Sequence, residues 1–148
     1  MLSAFSSACS ADNVLFFLII QFRLSEVDGS LLELPNLTHL HLQGNSILKV
    51  NHIKLPVLRV LRLGGNRLVS LDKSILESQQ ITLLDLSANP IKSLPDNIFE
   101  KLTEFKTLDV EGTKLRQIPK IPEGKRFNDL NLKDIPLFWW VNIFNYFS

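Results

Sequence analysis

Cysteine is almost absent from the sequence, and neither sign of charge dominates. Cys9 is the single cysteine in 148 residues, so an intramolecular disulfide is excluded. The 16 Lys and Arg residues nearly balance the 15 Asp and Glu residues, which gives a formal net charge of +1. This balance does not favour nucleic acid or an anionic membrane as a partner. Because no histidine or acid partner can be identified for Cys9, we interpret it as an ordinary residue rather than a nucleophile.

The sequence also lacks a membrane span and the usual order of a secretory signal. No segment approaches the roughly 20 consecutive apolar residues that a spanning helix needs. A signal peptide begins with basic residues and ends with small ones. Here the small residues at 7–11 precede the apolar run at 14–20, and the first basic residue is Arg23. We therefore favour a buried strand at 14–20, with a signal peptide over residues 1–24 as the alternative.

What the sequence does contain is a repeat. The pattern L-x-x-L-x-L-x-x-N-x-L occurs four times, at spacings of 21, 23 and 24 residues. Neither a helix, with apolar residues every three or four positions, nor a strictly alternating strand explains this pattern. We number the copies repeats one to four, and their first residues are Leu37, Leu58, Ile81 and Phe105.

Weaker copies flank the four strong ones. Val14 lies 23 residues before Leu37, and Phe127 lies 22 residues after Phe105. The sequence therefore predicts a repeat domain at 14–135, preceded by an N-terminal segment or cap at 1–13 and followed by an apolar tail at 136–148. The six units of this domain start near residues 14, 37, 58, 81, 105 and 127.

These residues resemble leucine-rich repeats along nearly the whole chain. Repeat three includes SLPDNIFEKL, which is similar to the typical 24-residue subclass found in Toll-type receptors and in Slit-like and proteoglycan ectodomains. The resemblance implies an α/β fold, a curved right-handed solenoid with a parallel β-sheet on its concave face. Loops and short helical turns are expected on the convex face, where Phe99 fills space.

Asparagine has a structural role in such a repeat. Its amide offers two donors and an acceptor to backbone groups at the turn where each strand ends. Asn45, Asn66 and Asn89 occupy this ninth position in repeats one to three. Phe22 in the first weak copy cannot perform this role, and Thr113 in repeat four performs only part of it. We therefore expect looser turns in those two units.

Candidate binding residues lie between the strand leucines. Residues two apart on a strand share a face, and the outward rows of a solenoid form its concave binding surface. The central row changes from apolar at Leu18 to basic and then acidic side chains. Taken singly, each residue is better explained as part of an ordinary solvated face; the binding interpretation applies to the column as a whole. The predicted partner-binding residues are His39, His41, Arg62, Asp85, Asp109 and Asn131.

No catalytic or metal site is expected. Neither G-x-x-x-x-G-K nor G-x-S-x-G occurs, and Gly64-Gly65 belongs to repeat two. Asp85 and Asp109 would lie on an open face that does not desolvate them as acid–base catalysis requires. His39 and His41 share a face but lack the third ligand that a metal needs. We predict that the chain is not an enzyme and has no cofactor.

Two further features bear on the cellular location. Asn36-Leu37-Thr38 is an acceptor sequon for N-glycosylation, which carries meaning only in a secreted chain. The tail PLFWWVNIFNYFS at 136–148 could cover the open end of the last repeat, anchor at a membrane interface, or be a gene-model artefact; we favour a cap.

The sequence thus predicts a non-catalytic protein-recognition module. We place it in a receptor or adhesion ectodomain that binds a protein ligand or co-receptor, with an intracellular signalling scaffold as the alternative and a purely structural fragment as a third. Extracellular repeats of this family usually carry cysteine-rich caps, which this sequence lacks. We therefore favour a piece of a larger ectodomain, continuing into further repeats, over an intracellular protein or an uncapped variant.

Overall fold

The structure, a computed structural model, describes residues 10–11, 14–18, 23–28, 34–51 and 55–136. Predictions about Cys9, a signal peptide and the aromatic tail fall mainly outside these ranges and stay predictions. The elements in chain order are β1 (Ser10–Ala11), β2 (Val14–Leu18), β3 (Glu26–Asp28), β4 (Leu37–His41), β5 (Lys49–Asn51), β6 (Val60–Arg62), a 3-10 helix (Lys73–Glu77), β7 (Leu83–Asp85), α1 (Ile98–Lys101), β8 (Thr107–Asp109) and β9 (Asp129–Asn131).

One strand from each repeat joins the main sheet. Its order is β1-β2-β4-β6-β7-β8-β9, and all pairs are parallel except β1 with β2, which are antiparallel. The register places the fourth-position leucines opposite one another, from Leu40 through Leu61 and Leu84 to Leu108. The predicted leucine-rich repeat solenoid is therefore confirmed. The strands are short because the chain leaves the sheet at the turn that follows each one.

The core is a stack of inward leucines and isoleucines. A single unit cannot bury its apolar side, so each buries it against the units on either side. Leu40, Leu61, Leu84 and Leu108 are 0% exposed. On the convex side Phe99 is buried, as predicted, and its ring lies 6.0 Å from that of Phe105.

The asparagines link neighbouring repeats through their side chains. The Nδ2 group of Asn66 donates to Leu63 O within its own repeat (2.8 Å) and to Leu42 O in the preceding one (3.0 Å). Its Oδ1 atom accepts from Ile47 N in the preceding repeat at 3.0 Å. Asn89 repeats this arrangement with Leu63, Leu86 and Leu68. We call this column, from Asn45 to Asn89, the asparagine ladder.

The ladder changes at repeat four. Thr113 is buried, and its hydroxyl donates to Val110 O at 2.8 Å, which is the bond within the repeat. Its backbone N–H also donates to Val110 O at 3.2 Å, so the turn is closed despite the expectation of a looser one. The short side chain provides no counterpart to the two bonds that Asn66 and Asn89 make to the preceding repeat.

A second column precedes the ladder at every turn. The residue just before the ninth position has a left-handed backbone conformation in five successive units, a feature that the sequence analysis did not predict. Glycine adopts this conformation without a side-chain clash, whereas other L-residues disfavour it by roughly 1–2 kcal/mol. The five residues are Gly44 (φ 68°), Gly65 (φ 66°), Ala88 (φ 49°), Gly112 (φ 65°) and Asp134 (φ 55°).

Short elements on the other faces complete each unit. β3 and β5 form a separate two-stranded parallel sheet. The 3-10 helix is capped by Asp72, whose carboxylate accepts from Ser74 N at 2.8 Å. After the short helix α1, the carbonyls of Leu102 and Thr103 accept hydrogen bonds from Lys125. The Nζ atom of Lys125 lies 2.8 Å from Leu102 O and 3.1 Å from Thr103 O. Burial lowers the pKa of Lys125, while the charge of Glu104 opposes this shift.

Candidate protein-binding face

Two outward rows cross the concave sheet, and pairing of the parallel strands sets them in register. Adjacent members of a row are about 4.8 Å apart along the hydrogen-bonding direction. The first row consists of His39, Val60, Leu83, Thr107 and Asp129. The second row consists of His41, Arg62, Asp85, Asp109 and Asn131. All six predicted site residues therefore lie on one face, and their binding role stays a prediction.

The two histidines occupy the N-terminal part of this face. Their ring centroids lie 6.3 Å apart, and the Thr38 hydroxyl forms a 3.0 Å hydrogen bond with Nδ1 of His39. Burial, followed by the positive charges of Arg59 and Arg62, lowers the pKa of His39. Burial also lowers the pKa of His41, with Arg62 and His39 as the smaller causes. These lowered pKa values favour the neutral form of both histidines at physiological pH. Two arginines, Arg59 and Arg62, lie beside them.

Gly64 shapes the centre of the face. It is buried, and a Cβ atom placed on it would lie 2.7 Å from Ser87 Oγ and 2.9 Å from Asp85 Oδ1. The Ser87 hydroxyl and backbone N–H both donate to Asp85 Oδ1, at 2.7 and 3.1 Å. Because Gly64 has no side chain, the Asp85 carboxylate can lie against repeat two at this position. The repeat pattern accounts for Gly64 as a turn residue but does not indicate this second role.

The C-terminal part of the face is acidic and internally hydrogen-bonded. Asp109 Oδ1 accepts from Glu111 N at 3.0 Å, as Asp85 accepts from Ser87. Glu111 accepts from Asn131 Nδ2 at 2.9 Å and pairs with Lys133 Nζ at 3.1 Å. The hydrogen bond from Asn131, followed by that from Lys133, lowers the pKa of Glu111, and the bond to Glu111 raises the pKa of Lys133. Glu111 thus fixes the orientation of the Asn131 side chain. Glu111 itself lies on this face, although it was not among the predicted residues.

Two polar atoms on this face have no hydrogen-bond partner within the described part of the chain. They are Nε of Arg62, a donor, and Oε1 of Gln43, an acceptor. Both are covered by surrounding atoms, where a missing hydrogen bond costs about 1–3 kcal/mol.

Outside the concave face, Asn36 is exposed in the turn before β4. Among the described residues, no three His, Cys, Asp or Glu side chains are grouped so that they could hold a metal ion. Within the same ranges, no helix has the length and hydropathy needed to cross a membrane.

Comparison with known proteins agrees with this architecture. Residues 56–119, which cover repeats two and three and most of repeat four, match the family model described as leucine rich repeat. A segment of 74 residues is 30% identical to vasorin from Homo sapiens. This match covers 50% of the chain and only 11% of vasorin, so the chain spans about a tenth of that relative. With the repeat pattern and the parallel sheet, these matches identify the chain as a leucine-rich repeat protein whose third repeat has the pattern of the typical extracellular subclass.

Proposed function

We propose that the protein is a non-catalytic recognition module that binds a protein ligand or co-receptor on its concave face. The observation that carries this proposal is the second row, in which a histidine, an arginine, two aspartates and an asparagine follow one another in register. Leucine-rich repeat domains generally mediate interactions between proteins, and their outward rows supply the contact surface. The family and the open face also support a role without covalent chemistry.

The charge order of the face defines the kind of partner. Arg62 and its neighbour Arg59 lie on repeat two, and Asp85, Asp109 and Asp129 lie on the three units that follow it. A complementary surface therefore has acidic groups opposite repeat two and basic groups opposite repeats three and four and the final unit. Such complementarity sets the orientation of docking and suppresses wrong partners more than it raises affinity.

We further propose an extracellular location, within a receptor or adhesion ectodomain. The typical-subclass pattern of repeat three and the exposed sequon at Asn36 support this location. The alternative is an intracellular scaffold in a signalling complex, because the chain has no cysteine pair that could form a disulfide-bonded cap.

The test replaces one basic and one acidic residue of the face. We expect the double substitution Arg62→Ala and Asp109→Ala to weaken partner binding by about tenfold or more without unfolding the protein, because neither side chain belongs to the core. Partners are identified by quantitative proximity labelling on cells that display the protein. Affinity is then measured with the purified partner.

The matched control is the convex double substitution Lys73→Ala and Glu100→Ala, which also removes one positive and one negative exposed side chain. A partner lost by the concave variant and kept by the convex one supports the proposal. Equal affinity of the concave variant and wild type would move the binding site to another surface.

A further inference from the structure

A second surface lies on the flank where the chain leaves the concave sheet. There, four segments follow the ninth position of each repeat: SILK at 46–49, RLVS at 67–70, PIKS at 90–93 and KLRQ at 114–117. None contains Asp or Glu, whereas each contains at least one Lys or Arg. This contrasts with the whole chain, whose formal net charge is only +1. Positive charge is therefore concentrated on this flank.

The backbone holds these segments side by side. Arg67 N donates to Ile47 O at 2.9 Å, Lys92 N to Val69 O at 3.2 Å, and Lys114 N to Ile91 O at 2.9 Å. Hydrogen bonding of this kind sets adjacent segments about 4.8 Å apart. The three segments from repeats two, three and four thus present their side chains across a strip roughly 10 Å long.

Side-chain direction is also uniform on this flank. Leu68, Ile91 and Leu115, the second residues of their segments, are at most 1% exposed. The first and third residues of each segment are instead half-buried or exposed. The cations in these outward positions are all exposed, and we call them the basic flank: Arg67, Lys92, Lys114 and Arg116.

No acidic side chain neutralises the basic flank within the described residues. The ion pairs found among the described residues all involve Lys133, which lies outside the basic flank. No side-chain hydrogen bond in the same ranges involves any of the four cations. Lys49 differs, because its strand pairs it with Glu26. These four unpaired cations form a patch two columns wide, with Arg67 and Lys114 at the first segment position and Lys92 and Arg116 at the third. The patch creates a local field that attracts a linear polyanion and lets it contact several cations at once.

We propose that the basic flank binds a sulfated glycosaminoglycan, independently of the concave face. The choice of a glycan rests on the proposed extracellular function, since sulfated chains are the abundant linear polyanions outside cells. Nucleic acid fits less well, because none of the four segments offers an aromatic ring for base stacking.

An acidic protein segment is the rival ligand. Leu48 and Val69 continue one column of this flank and are 52% and 48% exposed, so a peptide could cover them while pairing with the cations. A glycan would gain little from these two side chains. The substitution pair Leu48→Ser and Val69→Ser therefore separates the two ligands.

The test measures binding of the purified chain to immobilised heparin at several salt concentrations. Wild type should bind near physiological salt, with affinity that falls steeply as salt rises because cations are released from the polyanion. The variant R67Q/K92Q/K114Q/R116Q should bind about tenfold or more weakly and show a shallower salt dependence. A matched control, K73Q/K101Q/K106Q/R126Q, removes four exposed cations outside the flank and should retain most of the affinity.

Each remaining outcome overturns the proposal. Absence of wild-type binding, or equal losses in the two quadruple variants at unchanged melting temperature, would show that the flank is not a site. Weakening by L48S/V69S, with displacement by poly-glutamate at lower concentration than by heparin, would assign the flank to an acidic peptide. Preferential displacement by DNA would assign it to nucleic acid. The Arg62 and Asp109 double variant should bind heparin normally, so failure of the concave-face proposal is distinguishable from failure of this one.

Discussion

Asn66 and Asn89 each place one side-chain amide between two repeats. Their donors satisfy carbonyls that leave the sheet at the turn, and their acceptors satisfy a backbone N–H of the preceding repeat. Loss of such an amide leaves buried groups unpaired, at about 1–3 kcal/mol for each group. The ladder therefore fixes the stacking of repeats as well as the shape of each turn.

Thr113 ends this ladder, and its replacement by asparagine should extend it. The amide oxygen of an asparagine at this position can accept from the N–H of Ile91, as Asn66 accepts from Ile47, while the amide donors reach Leu86 O and Val110 O. We expect Thr113→Asn to raise the free energy of unfolding by about 1 kcal/mol. Urea denaturation followed by circular dichroism measures the change.

The control for this substitution is Thr113→Val. It keeps the branched shape but loses the hydroxyl that donates to Val110 O, so it should destabilise the protein. If Thr113→Asn is no more stable than wild type, the turn of repeat four cannot bring an asparagine amide to the preceding repeat.

Residue-level prediction from the sequence succeeded where side-chain chemistry dictates a role. The asparagines were assigned to the turns because the amide is both donor and acceptor, and this is where they lie. The left-handed column was missed because Ala88 and Asp134 hide it; three glycines at 44, 65 and 112 were the available signal. A left-handed backbone conformation is difficult to recognise in the sequence where a residue other than glycine adopts it.

At the scale of elements, β4 brings His39 and His41 onto one face, between Arg59 and Arg62 and the strand β2. Burial and the neighbouring arginines disfavour the imidazolium forms in the folded protein, which lowers both pKa values. The unfolded chain lacks both effects, so its histidines protonate near the ordinary pKa of 6.5. We therefore expect this strand to make the stability of the protein sensitive to mild acid.

The sign of the pH dependence follows from this difference. As pH falls below 6.5, the unfolded state takes up protons before the folded state, so stability falls until the lowered folded pKa values are passed. Well above the unfolded pKa the histidines contribute no pH dependence, because they are neutral in both states. We expect wild type to lose more stability than the variant H39Q/H41Q between about pH 7.5 and about pH 5.0.

Urea midpoints of both proteins at the two pH values provide the measurement. Carboxylates titrate in both proteins, so the comparison isolates the histidines. Equal losses in wild type and variant would show that β4 does not sense acid.

Elements were predictable from the sequence to different degrees. The strand leucines predicted β4 and β6 to β8, because one inward leucine between two outward residues defines each strand. The small sheet of β3 and β5 was not predicted, since it depends on the pairing of two convex segments rather than on a periodic pattern. The position of Asp85 over Gly64 was likewise unpredictable, because it depends on contact between adjacent repeats.

For the molecule as a whole, charge is nearly balanced but spatially separated. Among the described residues, acidic side chains gather on the C-terminal part of the concave face, and cations without an ion-pair partner gather on the basic flank. Composition gave the balance correctly, but it could not reveal the separation, which emerges only when the repeats are stacked. Two surfaces of opposite character can therefore serve two different ligands on one solenoid.

The proposed location also concerns the whole molecule, and the sequon tests it. Asn36 is exposed in a turn, so a glycan attached there would not disturb the core. We expect protein isolated from its own cells to carry an N-glycan at Asn36. Intact mass before and after enzymatic deglycosylation detects it, with Asn36→Gln as the control that lacks the acceptor. An unmodified Asn36 in the native protein would favour the intracellular scaffold.

The aromatic cluster at the C-terminal end has a consequence for how the solenoid opens. Phe99 of repeat three lies 5.4 Å from Phe127, ring to ring, and Lys125 bonds to the carbonyls of Leu102 and Thr103. In a stack held only by nearest neighbours, units can detach from an end one at a time. Here the Phe99–Phe127 contact joins the final unit to repeat three, and Lys125 joins repeat four to repeat three. We therefore expect repeats three and four and the final unit to open together as one cooperative foldon in hydrogen exchange, rather than as a series of independently fraying turns.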